Sequence, residues 1–253
     1  MPGGILYLAT DRPDVDAYQR EVLMAHGGFD IVDGEEWPFE FRTDQQMFCD
    51  RKDIPYGILV PEMLLVGYSH GYFPMAESDT GEILWHRPDP RAIIPLDGVA
   101  LSTSLRKVLR REVFSVTVDT AFEEVIRACS RRDETWISEE IIEAYIGLHR
   151  MGYAHSVESW QDGRLAGGLY GVHVGGAFFG ESMFSAVSNA SKVAFAHLVA
   201  ILRANGFTLL DTQYINAFTA SLGAVEIEDE RYQTLLADAL DHHAAFVSSV
   251  PRP

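Results

Sequence analysis

From residue 101 onward the chain switches between two hydrophobic periods, and each switch predicts an element. Ser102 to Arg111 reads as a helix, with Leu101, Leu105, Val108 and Leu109 on its buried side and Arg106, Lys107, Arg110 and Arg111 on the other. Phe114 to Val118 alternates as a strand, and Asp119 to Ser130 carries Phe122, Val125 and Ile126 at helical spacing behind an Asp or Thr cap. Ser138 opens a further helix, with Glu139 and Glu140 suiting its positive end, that runs to His149 and closes at Gly152. Three strands follow, His155 to Trp160, Leu165 to Val174 and Ala177 to Ser185, with turns at Asp162-Gly163 and Gly175-Gly176. They predict an antiparallel meander. Asn189 is placed to cap a helix from Ala190 to Ala204, whose Phe195, Leu198 and Leu202 form an apolar stripe ended by Gly206. Phe207 to Gln213 then reads as a buried strand, and an acidic helix from Asp229 to Phe246 finishes the fold.

Meander, helix, strand, helix is an α+β order in which one long helix packs across a mostly antiparallel sheet. Before it, residues 27 to 56 mix Gly, Asp, Glu, Pro and aromatics without a sustained period, and read as irregular or short-strand structure. The run Arg87-Pro88-Asp89-Pro90-Arg91 breaks any regular element, because prolines remove backbone donors and restrict the residues before them. This predicts a small N-terminal α/β domain over residues 1–89 and a second domain over 90–253. The chain has 253 residues, 47% of them hydrophobic, which is enough to bury a sizeable core.

Charge narrows the functional classes. Twenty basic against 37 acidic side chains give a net charge of −17, which argues against coating nucleic acid or membranes by bulk charge. Nucleic-acid contact then requires a local patch, and the one basic stretch is the helix face of Arg106, Lys107, Arg110 and Arg111, joined by Arg131 and Arg132. The alternative for that face is a solvated surface paired to nearby Glu. Cys49 and Cys129 lack the spacing of a disulfide framework or a zinc site, and none of the nine histidines forms a helical ligand pair, so no metal is expected. The N-terminal apolar run is too short for a signal sequence, and no stretch approaches 18 apolar residues, which predicts a cytoplasmic protein.

Two polar insertions in apolar strands carry candidate chemistry. Glu181 lies within Phe178 to Ser185 and needs donors, either as an ion-paired core residue or as a site acid. Gly180-Glu181-Ser182 begins like a nucleophile elbow, but Phe184 stands where that motif requires Gly, which excludes this route to a serine hydrolase. Asp211 and Gln213 end an apolar strand on one face at period two, as a site or as a turn that satisfies backbone groups. Gly167-Gly168 and Gly175-Gly176 fit no phosphate-binding fingerprint.

The strings GYFPM (71–75), PDPRAIIPL (88–96), TWIS (135–138), AYIGLHRMGYAHSVE (144–158), GGLYGV (167–172), FGESMFS (179–185), NASK (189–192), DTQ (211–213) and SLGA (221–224) together resemble the bacterial leucyl/phenylalanyl-tRNA–protein transferases. Order and spacing match over about residues 57 to 232. The resemblance implies an acetyltransferase-like (GNAT-like) second domain. It also implies an enzyme that moves Leu or Phe, with Met a further candidate, from tRNA to proteins beginning with Arg or Lys. The product is an N-degron, and no cofactor is consumed because the aminoacyl ester is already activated.

By the same resemblance, Asp211 and Gln213 form the catalytic pair, the carboxylate polarising the Gln oxygen toward the acceptor amine, and Glu181 holds the donor's α-amino group or terminal ribose. Leu169, Phe178, Met183, Leu198 and Leu202 line the aminoacyl pocket, and Trp136 and Met75 border the terminal adenosine, Trp136 by stacking. Lys107 and Arg110, with Arg106 and Arg111, hold the tRNA acceptor stem. Nothing demands an oligomer, so a monomer is expected. The sequence departs from the family pattern at Trp85-His86, where paired tryptophans are usual, at Phe218, usually His, and at Thr103, usually basic; residues 1–56 lack the family's usual opening. A coenzyme-A-dependent N-acetyltransferase is the first alternative, but Ser185 to Asn189 lacks its glycine-rich pyrophosphate cradle. A non-catalytic RNA-binding relative is the second.

Overall fold

The computed structural model describes residues 59–99, 101–132 and 135–247. The reading of residues 27–56, and Cys49 with it, lies outside these. Helix α1 (Pro61–Ser69) starts with a proline where no N–H is needed, and β1 (Phe73–Ala76) pairs with β2 (Ile83–His86) as a hairpin. Next come β3 (Arg91–Ile93), a short 3₁₀ turn at Leu96–Gly98, α2 (Thr103–Arg110), β4 (Ser115–Val118), α3 (Phe122–Ser130) and α4 (Glu139–Arg150). The meander is β5 (Ala154–Gln161), β6 (Arg164–Val174) and β7 (Ala177–Ser185), followed by α5 (Ala190–Ala204) and β8 (Leu209–Gln213). The short α6 (Ala217–Ser221), β9 (Val225–Ile227) and α7 (Asp229–Leu240) complete the described chain.

The large sheet has the order β4-β5-β6-β7-β8-β3-β9. Every pairing in it is antiparallel except β7 with β8, which α5 connects as a crossover, so the fold is α+β. Alternation along β6 divides the interior. Leu169 packs with Leu198 and Leu202 of α5 on one face, and its neighbour Tyr170 packs with Tyr145 of α4 on the other. Leu64, Leu65, Tyr68 and Phe73, all before Asp89, lie in the same core cluster as Ile141, Tyr145 and Phe179.

Capping and helix length depart from the expected pattern in three places. Ala121, not Asp119 or Thr120, is the N-cap of α3, because Asp119 is drawn to the Ser156 N–H (2.9 Å) and the His155 ring (2.7 Å). Asn189 is the N-cap of α5 but sits left-handed at φ 70° and makes no capping bond; Ser185 Oγ accepts the Ser191 N–H instead, at 3.3 Å. Helix α7 ends at Leu240, six residues earlier than expected, and Phe246 beyond it stacks on His155.

Two irregularities in β7 shape what lies beyond the core. Its pairing to β6 shifts register between Gly171↔Gly180 and Tyr170↔Ser182, which leaves Glu181 as the extra residue of a bulge. Its parallel pairing to β8 covers only Ala177 to Phe179, so the two strands part at Gly180. Gly171 makes the bulge possible, since a Cβ there would strike the Phe179 carbonyl oxygen and come within 2.5 Å of the Phe178 ring. Gly171→Ala is expected to cost about 2–3 kcal/mol of stability by overpacking, read as a lowered urea midpoint with an unchanged m-value.

Candidate active site

The gap between β7 and β8 opens a cavity of about 400 Å³ under the first turns of α5. Leu169, Met183, Phe195, Leu198, Leu210 and Phe218 form its apolar wall. At its head stand Glu181, Ser182, Thr212, Gln213 and Asn216, and Arg132 reaches over the rim to the Met183 carbonyl oxygen and Ser182 Oγ.

Glu181 and Gln213 meet there. Gln213 Nε2 donates to Glu181 Oε1 at 2.9 Å, and Tyr145 Oη donates to Glu181 Oε2 at 3.1 Å. The Tyr145 hydroxyl is in turn hydrogen-bonded to that of Tyr68. Burial, opposed by the Tyr68 and Tyr145 hydroxyls, pushes Glu181 up to about 7. Burial and the nearby carboxylate both keep the two tyrosines protonated. Glu181 is only half-buried as a residue, so it joins a buried hydrogen-bond chain to an open cavity.

Asp211 plays a different geometric part from the expected one. It is fully buried and does not line the cavity. Its carboxylate accepts from Arg91 Nε and Nη2 (3.0 and 2.8 Å), from Tyr232 Oη (2.6 Å) and from the backbone N–H of Gln213 (2.8 Å). The carboxylate that holds the Gln213 side-chain amide is therefore Glu181, not Asp211. Burial works against the Arg91 charge, and Asp211 overrides it, keeping the guanidinium firmly protonated. Gln213 itself lies at φ 57°, a left-handed conformation that a non-glycine residue holds only when its surroundings impose it. The Asp211 hydrogen bond to its N–H imposes it here. With Nε2 committed to Glu181, Gln213 offers its Oε1 as an acceptor.

Of the expected pocket residues, Leu169, Met183 and Leu198 line the cavity, but Phe178 and Leu202 do not. Both are fully buried: Phe178 precedes the point where β7 and β8 part and stacks on Phe246, and Leu202 lies a turn deeper along α5. Trp136 and Met75 also lie off this cavity; they are half-buried against the α4 side of the core, linked by the Ala76 N–H to Trp136 carbonyl hydrogen bond (3.0 Å). Arg106, Lys107, Arg110 and Arg111 are exposed together on and just beyond α2. Arg106 and Arg110 border a separate cavity of about 570 Å³, shared with Arg203 and the apolar Leu101, Leu109 and Val199. Phe218 sits under the Lys192 ammonium at 5.6 Å, and His86 stacks on Phe73.

Sequence reasoning missed Arg91, Tyr232, Tyr145 and Tyr68. Arg91 precedes the apolar run Ala92-Ile93-Ile94, a charge in a buried strand that requires an acid, and Tyr145 shares the buried face of α4 with Ile141 and Leu148. Those patterns were the available signal.

Comparison with known proteins decides the lineage. Residues 93–237 match the family model described as leucyl/phenylalanyl-tRNA protein transferase, and residues 57–89 match that of its N-terminal domain. The chain belongs to the leucyl/phenylalanyl-tRNA–protein transferase family. The protein of that name from Gloeobacter violaceus is 57% identical over 182 residues, covering 72% of this chain and 94% of that protein. The one from Chlorobaculum tepidum is 53% identical over 190 residues, covering 74% and 98%. Among solved structures, L-PGS from Bacillus licheniformis aligns at 13% identity with a TM-score of 0.35, over 70% of this chain and 56% of that one.

The Glu181 environment makes a prediction about stability. The folded protein holds the Glu181 proton more tightly than the unfolded chain, so stability is lost as pH rises from the ordinary value of 4.5 and the loss levels off above about 7. Glu181→Gln removes that penalty. Its Tm is expected to match the wild type near pH 4.5 and to exceed it at pH 8, read by thermal denaturation across that range.

Proposed function

We propose that the chain transfers Leu or Phe from aminoacyl-tRNA to the α-amino group of proteins that begin with Arg or Lys, marking them for degradation. The observation that carries this reading is the Glu181–Gln213 hydrogen bond at the head of an apolar cavity, in a chain of this family. Leu169, Met183 and Leu198, with Phe195 and Leu210, surround the donor side chain; one methylene in such a pocket is worth about 1–3 kcal/mol of discrimination.

An α-amino group of pKa near 8 attacks as the free amine, its ammonium proton having passed to solvent. Gln213 Oε1 accepts a hydrogen bond from the incoming amine and aims its lone pair at the ester carbonyl. The N–C bond forms, the C–O bond to the terminal ribose breaks, and the amine proton ends on the departing ribose oxygen. Glu181, poised near neutrality, holds the donor's α-amino group or ribose hydroxyl, and Asp211 positions Gln213 through its backbone. Trp136 and Met75 border the terminal adenosine, and Arg106, Lys107, Arg110 and Arg111 hold the acceptor stem through phosphates, a salt-sensitive contact. A division near Asp89 follows the two family-model matches, while the residues before it share the core of those after it. Among the described residues no helix is long and apolar enough to cross a membrane, which accords with a protein that meets tRNA in the cytoplasm.

The test is transfer of labelled Leu from Leu-tRNA to peptides beginning with Arg, Lys, Asp or Ala. Arg and Lys peptides are expected to be labelled, and Gln213→Ala to lower kcat/KM about a hundredfold or more with its Tm retained. Labelling of Asp or Ala peptides, or full activity in Gln213→Ala, contradicts the reading.

A further inference from the structure

The left-handed turn at Gln213 sends successive residues to different places. Gln213 faces Glu181 and the donor cavity, whereas Tyr214 lies off that cavity and meets the edge of Phe73 at 5.8 Å between ring centroids. Tyr214 is 47% exposed and Ile215 beside it 36%, unusual for large apolar groups next to a reaction centre. His86 stacks on Phe73 at 5.9 Å, and Glu77 follows β1 close enough to act on the His86 ring. Tyr214 follows Gln213 directly and lies outside the donor cavity, which puts this ledge one residue from the amide that meets the attacking amine.

We propose that Tyr214, His86 and Glu77, backed by the buried Phe73 ring, form the subsite that receives the cationic first side chain of the acceptor. The inference rests on the transfer reaction proposed above. Aromatic faces attract a guanidinium or ammonium and cover its apolar stem, and an exposed carboxylate adds charge complementarity. The buried Phe73 ring already carries the Arg91 guanidinium at 4.9 Å, so it is the exposed Tyr214 ring that is open to the acceptor's cation. Burial lowers His86 from the ordinary 6.5, against the pull of Glu77, so the ring is neutral at pH 7 and does not repel a cation.

The test compares KM for peptides beginning with Arg and with citrulline, its neutral isostere, using Leu-tRNA as donor. Tyr214→Leu is expected to raise KM for the Arg peptide about five- to tenfold, leaving KM for Leu-tRNA unchanged, and Tyr214→Phe to restore wild-type KM. Glu77→Gln is expected to narrow the preference for Arg over citrulline about threefold. An unchanged peptide KM in Tyr214→Leu, or an equal rise for Arg and citrulline, overturns the subsite while leaving the transfer reaction standing. If the wild type labels no peptide at all, the transfer reaction fails and the subsite with it.

Discussion

The ion pair between Arg91 and Asp211 is the constraint on which the site depends. Both side chains are wholly excluded from solvent, and they join strands whose partners lie 120 positions apart in the chain. A buried charge with one partner removed costs about 3–5 kcal/mol, so neither residue can be changed alone without reorganising its surroundings. Arg91 also binds the Gly71 carbonyl oxygen at 2.8 Å, and Tyr232 of α7 donates to Asp211. One pair thus fixes the turn after α1, the middle of the sheet and the final helix against one another. Pairs of this kind add little net stability over an apolar replacement; what they supply here is a single permitted geometry at the end of β8.

That geometry brings two local irregularities together. Glu181 is the extra residue of a bulge, and Gln213 adopts a left-handed backbone that costs on the order of 1 kcal/mol or more outside glycine. Each is tolerated because something holds it: Gly171 leaves room for the bulge, and Asp211 holds the Gln213 N–H. Beyond these two points β7 and β8 no longer pair, and the cavity fills the gap with its acid and amide at the head and apolar side chains beneath. Strain, charge and cavity therefore coincide within a few residues.

The periodic parts of this architecture were legible in the sequence. The meander, the long helix across it and the cap at Ser138 all follow from hydrophobic period and turn residues, and Glu181, Asp211 and Gln213 stood out as polar residues in apolar strands. Period could not reveal long-range partners. The family resemblance implied that Asp211 holds the Gln213 amide, yet Arg91 claims its carboxylate from a strand that no local pattern pairs with β8. Phe178 and Leu202 share periodicity with the true lining residues, but whether a stripe residue faces a cavity depends on where two strands separate, which is set in three dimensions. The cap of α3 failed for the same reason, since Asp119 was recruited across the fold, whereas at α5 the left-handed Asn189 yields to Ser185, only six residues before Ser191.

In the proposed reaction Asp211 acts through the position of Gln213 and not through its own charge. The most direct measurement is transfer activity in Asp211→Asn alone and in Arg91→Met/Asp211→Asn together. In the single variant Arg91 is left as an unpaired buried charge; in the double variant both charges are gone and the Asn oxygen can still accept the Gln213 N–H. The double variant is expected to recover most of the stability and activity lost by the single one, with an unchanged pH profile. A double variant that folds as stably as the wild type yet stays as inactive as the single one would contradict it, and would make the Asp211 carboxylate itself part of the chemistry.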